Sequence, residues 1–117
     1  MTKTVLIAVD SGQFDLQDHI DELKLLAISA GADVVAVVVA KRKSPDPATY
    51  IGSGKVAEIS ELSEQLEAEL VVFNHSLSPA QQRNLEAALE MRVIDRTGLI
   101  LDIFAIRAQS FEGKLQV

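Results

Sequence analysis

At 117 residues the chain has the length of one compact domain, and its 48% hydrophobic and 24% charged content is an ordinary soluble, globular balance. With 17 acids against 11 bases the net charge is −6, which excludes a uniformly basic, nucleic-acid-coating surface. Cysteine is absent, so disulfides, thiol catalysis and cysteine-built zinc sites are excluded as well.

Met1 leads through Thr2-Lys3-Thr4 into an apolar run too short for a signal-peptide core or a membrane span, so a cytoplasmic protein without a membrane span is expected. That run, 4–9, is rich in β-branched residues and ends at Asp10-Ser11-Gly12, which reads as a buried strand and a turn. Over 15–30, Leu16, Ile20, Leu23, Ala27 and Ala30 recur at helical spacing, with acids gathered in the N-terminal half and Gly31 placed to end the helix. Residues 34–40 are apolar without alternation, as in a parallel strand covered on both faces. Residues 41–55 then carry two prolines, two glycines and a basic triplet, Lys41-Arg42-Lys43, in a loop long enough to be functional or mobile.

Val56, Ile59, Leu62 and Leu66 predict a second amphipathic helix over 55–67, and Leu70-Val71-Val72-Phe73 a third strand. Ser78, Pro79 and Gln81 are placed as cap, first helical residue and box partner of a helix over 78–90. Residues 92–95 predict a fourth strand, after which Thr97 is placed to cap a last helix running from 98 to about 109. That helix is apolar around most of its circumference and needs cover on most sides. Residues 98–117 therefore read as the beginning of a helical extension that continues beyond this sequence, leaving a hydrophobic strip exposed or buried in a dimer.

Strands alternating with helices, through crossovers of a dozen residues or more, imply a single α/β domain with a parallel sheet. The expected strand order is 2-1-3-4, half of a doubly wound fold. In such a sheet ligands gather beyond the C-terminal strand ends. Those ends offer Asp10 and Ser11, Lys41 and Arg42, Asn74 and His75, and Asp95 and Arg96. The cluster suits a phosphate or a ribose, and equally an ordinary solvated rim. Lys41, Arg42 and Lys43 suit an RNA backbone, and Tyr50 in the same loop suits a base. His19 sits among helix acids, where a solvated surface is the simpler reading than a metal site.

Gly52-Ser53-Gly54-Lys55 invites a phosphate-loop reading, but the full pattern fails. A Walker A loop ending on Gly54-Lys55 needs glycine at 49, which is Thr49, and a hydroxyl at 56, which is Val56. A turn that uses glycine for positive φ explains the same residues, with anion contact by Gly52, Gly54 and Lys55 still open. No nucleophile elbow, metal motif or supported pair of carboxylates is present in the sequence, and a chain without catalysis of its own is expected.

Three longer strings extend this reading. Residues 45–55 (PDPATYIGSGK), 77–86 (LSPAQQRNLE) and 93–105 (VIDRTGLILDIFA), the last followed by Arg107-Ala108 and 112–117 (EGKLQV), resemble the N-terminal domain of the HflX family of ribosome-associated GTPases. The resemblance covers nearly the whole chain. Asn74 stands where that family usually has Asp. The resemblance implies a GTP-binding protein that associates with the large ribosomal subunit and its rRNA and couples GTP to ribosome dissociation or rescue. It implies a helical subdomain and a GTPase domain that are not in this sequence, with GTP and Mg²⁺ belonging to the latter. ATP binding by the N-terminal region is a further possibility that the resemblance carries. The contact candidates are then Asp10, Lys41, Arg42, Lys43, Tyr50, Gly52, Gly54, Lys55, Asn74, His75, Arg83, Asp95 and Arg96, serving RNA or, alternatively, a regulatory nucleotide.

Overall fold

The computed structural model describes residues 2–12, 15–42 and 44–103. The elements alternate as β1 (Thr2–Asp10), α1 (Leu16–Ser29), β2 (Ala32–Lys41), α2 (Ser53–Gln65), β3 (Leu70–Phe73), α3 (Pro79–Leu89) and β4 (Arg92–Ile94). A further helix, α4, is described over 96–103. All pairings are parallel, in the order β2-β1-β3-β4. This is the expected 2-1-3-4 order.

β1 lies at the centre, and Thr4 through Val9 are buried along its length. On one face Val5, Ile7 and Val9 meet α2 and α3 through Val56, Ile59, Leu85 and Leu89. On the other face Leu6 and Val72 meet α1 and α4 through Leu23, Ala27, Leu99 and Ile103. Burial of these aliphatic side chains on both faces is the main stabilising term, at roughly 25 cal/mol per Å² of apolar surface.

The unbroken apolar run of β2 has a specific cause. Its register against β1 shifts between Thr4↔Val34 and Val5↔Ala36, leaving Val35 as the extra residue of a bulge. Ala32, Val34 and Val37 pack on the α1 face, whereas Val35, Val38 and Ala40 pack on the α2 face. Even positions change sides at the bulge, so a simple alternation could not be read there.

The caps follow the residue chemistry. Ser78 and Gln81 close a reciprocal capping box at α3, with Pro79 in the first turn. Gly31 takes φ +87 just after α1. α4 corrects one expectation. Its cap is Asp95, not Thr97: the Asp95 carboxylate accepts from Gly98 N at 2.8 Å, and the helix starts at 96. Thr97 is exposed, and its hydroxyl meets Ser76 Oγ instead at 3.3 Å. Within the described part of α4, Leu99 and Ile103 are buried while Ile100 and Leu101 are exposed. The expected strip from 104 onward lies outside the described residues. No helix among the described residues is long and apolar enough to cross a membrane.

Candidate functional site

The strand order reverses between β1 and β3, so a ligand crevice would open between their C-terminal tips. Here that crevice is filled from inside. Asn74 follows β3 and is buried, and its side-chain amide continues the sheet: Val9 N donates to Asn74 Oδ1 at 2.9 Å and Asn74 Nδ2 donates to Val9 O at 3.3 Å. The Asn74 backbone N–H adds a bond to Ile7 O at 3.1 Å. His75 Nε2 lies 3.2 Å from the same Val9 carbonyl. Among the described residues, a small cavity of about 10 Å³ lies beside Asn74 and another of about 10 Å³ beside His75.

Beside the filled crevice, the tips of β1 and β2 form an open concavity of about 410 Å³ lined by Asp10, Ser11, Gly12, Lys41 and Arg42. Asp10 turns inward on its own loop, accepting from Gly12 N at 2.9 Å. Lys41 ends β2 and is exposed. Arg42 is held more tightly, with Nε donating to Ser44 O at 3.2 Å. Lys43 lies outside the described residues.

The proline–glycine segment is shorter and more ordered than its composition indicates. β2 runs on to Lys41 and α2 starts already at Ser53. Between them, Asp46 and Tyr50 exchange two backbone hydrogen bonds of 2.9 Å, and Asp46 Oδ1 accepts from Ala48 N at 2.8 Å. Two side chains of α3 tie this turn down: Gln81 Nε2 donates to Asp46 O at 2.8 Å and Asn84 Nδ2 to Ala48 O at 2.9 Å. Asp46, Gln81 and Asn84 were not legible as rim residues. The one signal was the pair of amides one turn apart on α3, where Gln81 already had a capping role.

Tyr50 holds φ +69 and stacks on His75, with ring centroids 5.8 Å apart and planes 14° from parallel. Desolvation by burial raises its phenol pKa above the ordinary value, so the neutral, stacked form is favoured. The stack joins the 46–50 turn to the β3 tip.

Gly52 precedes α2 at φ 60 and ψ 154, a region open essentially to glycine alone. A Cβ added there would also meet Arg42 NH1 at 2.9 Å. Gly52→Ala is therefore expected to lower unfolding free energy by about 1–3 kcal/mol and to displace the Arg42 guanidinium. Denaturant titration checks the first effect; an unchanged midpoint would show that the backbone relaxes freely.

The other candidates divide. Gly54 is in the first turn of α2 with open space beside it, and Lys55 pairs with Glu58 of the same helix at 2.9 Å. Arg83 is exposed on α3. Arg96 opens α4 and is paired with Glu22 of α1. Asp95 is structural, accepting from Leu77 N at 2.9 Å through its second oxygen. The rim thus brings together Asp10, Lys41, Arg42, Tyr50, Asn74 and His75, while Arg83, Arg96 and Lys55 serve helix surfaces. His19, half-buried on α1, lines both small cavities beside the crevice.

A parallel sheet in this order, with its reversal point plugged by its own side chains, defines an open α/β domain of half doubly wound type. Among families, the one described as GTP-binding GTPase N-terminal matches residues 17–105. The GTPase HflX of Escherichia coli (strain K12) is 52% identical over 98% of this chain, and that of Caldanaerobacter subterraneus subsp. tengcongensis is 45% identical over 98%. The chain spans 27% of the length of each. Among solved structures, a mutation variant of SsGBP superposes with a TM-score of 0.74 at 26% identity, covering 99% of this chain and 36% of that one. A GTP-binding protein of Sulfolobus solfataricus in complex with GDP shares the fold, with a TM-score of 0.68 at 23% identity over 90% of this chain and 30% of its own. The chain belongs to the GTP-binding GTPase N-terminal family, as an N-terminal domain of HflX type.

Proposed function

We propose that this domain is a binding and positioning module. Within a longer GTP-binding protein, it sets that protein against the large ribosomal subunit for dissociation or rescue and performs no phosphate cleavage itself. The observation that carries this reading is the plugged crevice. Asn74 and His75 occupy the β1–β3 reversal point, where an open α/β sheet ordinarily admits a nucleotide, so that point presents a surface rather than a slot. Next to it, the β1–β2 tips carry the Lys41 and Arg42 cations, and the 46–50 turn fixes the Tyr50–His75 aromatic pair. Cations that meet phosphates and rings that meet unstacked bases are what an RNA-facing rim requires. The names of the relatives support the GTP-binding context.

The alternative, a regulatory ATP or GTP site on the same tips, has the 410 Å³ concavity in its favour. Pelleting with large ribosomal subunits separates the two. In the intact protein, Lys41→Glu with Arg42→Glu is expected to weaken association by about tenfold at low salt and to flatten its salt dependence by roughly two phosphate contacts. Unchanged pelleting would sink the ribosomal reading. Saturable ATP or GTP binding to the isolated chain, lost in the same double variant, would establish the alternative.

A further inference from the structure

The sheet face opposite α1 and α4 carries a feature that the rim does not use. Between α2 and α3 the surface dips into a groove of about 540 Å³. Val56, Ala57, Ser60 and Ala88 line it, small enough to let another backbone come close, and Thr49 and Ser53 close it at the end next to the 46–50 turn. Glu61 and Glu64 stand along the α2 side. Positions 57, 60, 61 and 64 recur at helical spacing, so these groups make one continuous stripe along α2.

Charge decides the occupant. Glu58 on the same helix is paired with Lys55, but no salt bridge among the described residues reaches Glu61 or Glu64. A carboxylate-edged groove repels phosphate, so the nucleic acid proposed for the rim is unsuited here. An apolar groove with acids on one side complements an amphipathic helix whose polar edge is Lys or Arg. α2 spans 13 residues and α3 spans 11, enough to seat two or three turns of such a helix. We propose that the α2–α3 groove docks a Lys/Arg-bearing amphipathic helix of a protein partner, at a site that shares no lining residue with the Lys41–Arg42 concavity.

The test uses the full 117-residue chain and a synthetic helical peptide of Leu and Ala with Lys along one edge. A second peptide carries Glu in place of Lys. Amide chemical-shift mapping locates binding, and anisotropy measures it. The Lys peptide is expected to shift α2, α3 and Thr49 amides and spare α1 and the Asp10–Gly12 and Lys41–Arg42 amides, and the Glu peptide to shift none of them. Glu61→Gln with Glu64→Gln, both at exposed positions, is expected to weaken the Lys peptide by about fivefold, the scale of two exposed ion pairs. Ala88→Arg, at an exposed site on a favourable helix former, is expected to abolish binding by filling the groove with bulk and like charge. Failure of the Lys peptide to bind at millimolar concentration would overturn the proposal. So would shifts centred on the Asp10–Gly12 and Lys41–Arg42 concavity or on α1, or an affinity unaffected by either variant.

Discussion

Asn74→Ala is expected to lower the unfolding free energy by about 2–4 kcal/mol, because it strands a buried backbone donor and removes a side chain from between the β1 and β3 tips. Val9 N–H has Asn74 Oδ1 as its partner at 2.9 Å, deep at the end of β1. The Val9 carbonyl would keep only His75 Nε2, at 3.2 Å. Denaturant unfolding measures the loss, and a change under about 1 kcal/mol would mean that water replaces the amide without difficulty. Asn74→Asp is the sharper variant. It keeps the acceptor for Val9 N–H but has no donor for a carbonyl that now lies 3.3 Å from the amide nitrogen. Burial and that carbonyl should raise the introduced carboxyl's pKa in the folded state above its unfolded value of about 4. The raised group contributes its full stability below the unfolded pKa, and that contribution is lost as pH rises through the folded pKa. The variant should therefore approach the parent at acid pH and fall behind it at neutral pH. A deficit that does not change with pH would refute the donor argument.

Asp95→Ala is expected to be of similar size, about 2–4 kcal/mol, since it combines the loss of a helix cap with that of a charge-assisted hydrogen bond. One carboxylate oxygen accepts from Gly98 N at 2.8 Å and holds the first turn of α4; the other accepts from Leu77 N at 2.9 Å and holds the connection into α3. The two loops that leave β3 and β4 therefore share one side chain. Asp95→Asn keeps one acceptor oxygen and should fall between the parent and the alanine variant. Amide hydrogen exchange separates the roles: the alanine variant should speed exchange at both Gly98 and Leu77, and the asparagine variant at only one of them. Fast exchange confined to α4 would mean that the link to Leu77 carries little. Because His75 stands two residues before Leu77, loosening this connection should also weaken the Tyr50–His75 stack and with it the rim.

These two residues show where reading along the chain succeeds and where it stops. Asn74 and Asp95 were legible as strand-end polar groups, and strand-end polar groups are the usual candidates for ligand contact. The folded chain uses both for itself. Asn74 answers a backbone group 65 residues earlier, and Asp95 answers one 18 residues earlier as well as its own helix. Thr97 had the residue type of a cap, but Asp95, two positions upstream, offers a charged acceptor with β4 ending beside it. The segment around Gly52 had the composition of a mobile loop. It is ordered by Gln81 and Asn84, which reach it from 35 and 36 residues away.

Whatever depends on neighbours within a helical turn was present in the residues alone. The capping box at Ser78, the stop at Gly31, the four apolar strands and the helices between them rest on local spacing and local hydrogen bonds, and they imply the parallel α/β class; the 2-1-3-4 order is an expectation from fold type that the tertiary structure bears out. The three strings around 45–55, 77–86 and 93–105 carried the family. The tertiary structure decided which rim groups remain free to meet a partner, because a buried backbone N–H or C=O must be satisfied, and the side chain that satisfies it comes from whichever distant strand or helix packs against it. It also decided that the bulge at Val35 turns one apolar strand toward two different cores. That depends on register against β1, a relation between segments about 30 residues apart that no local pattern encodes.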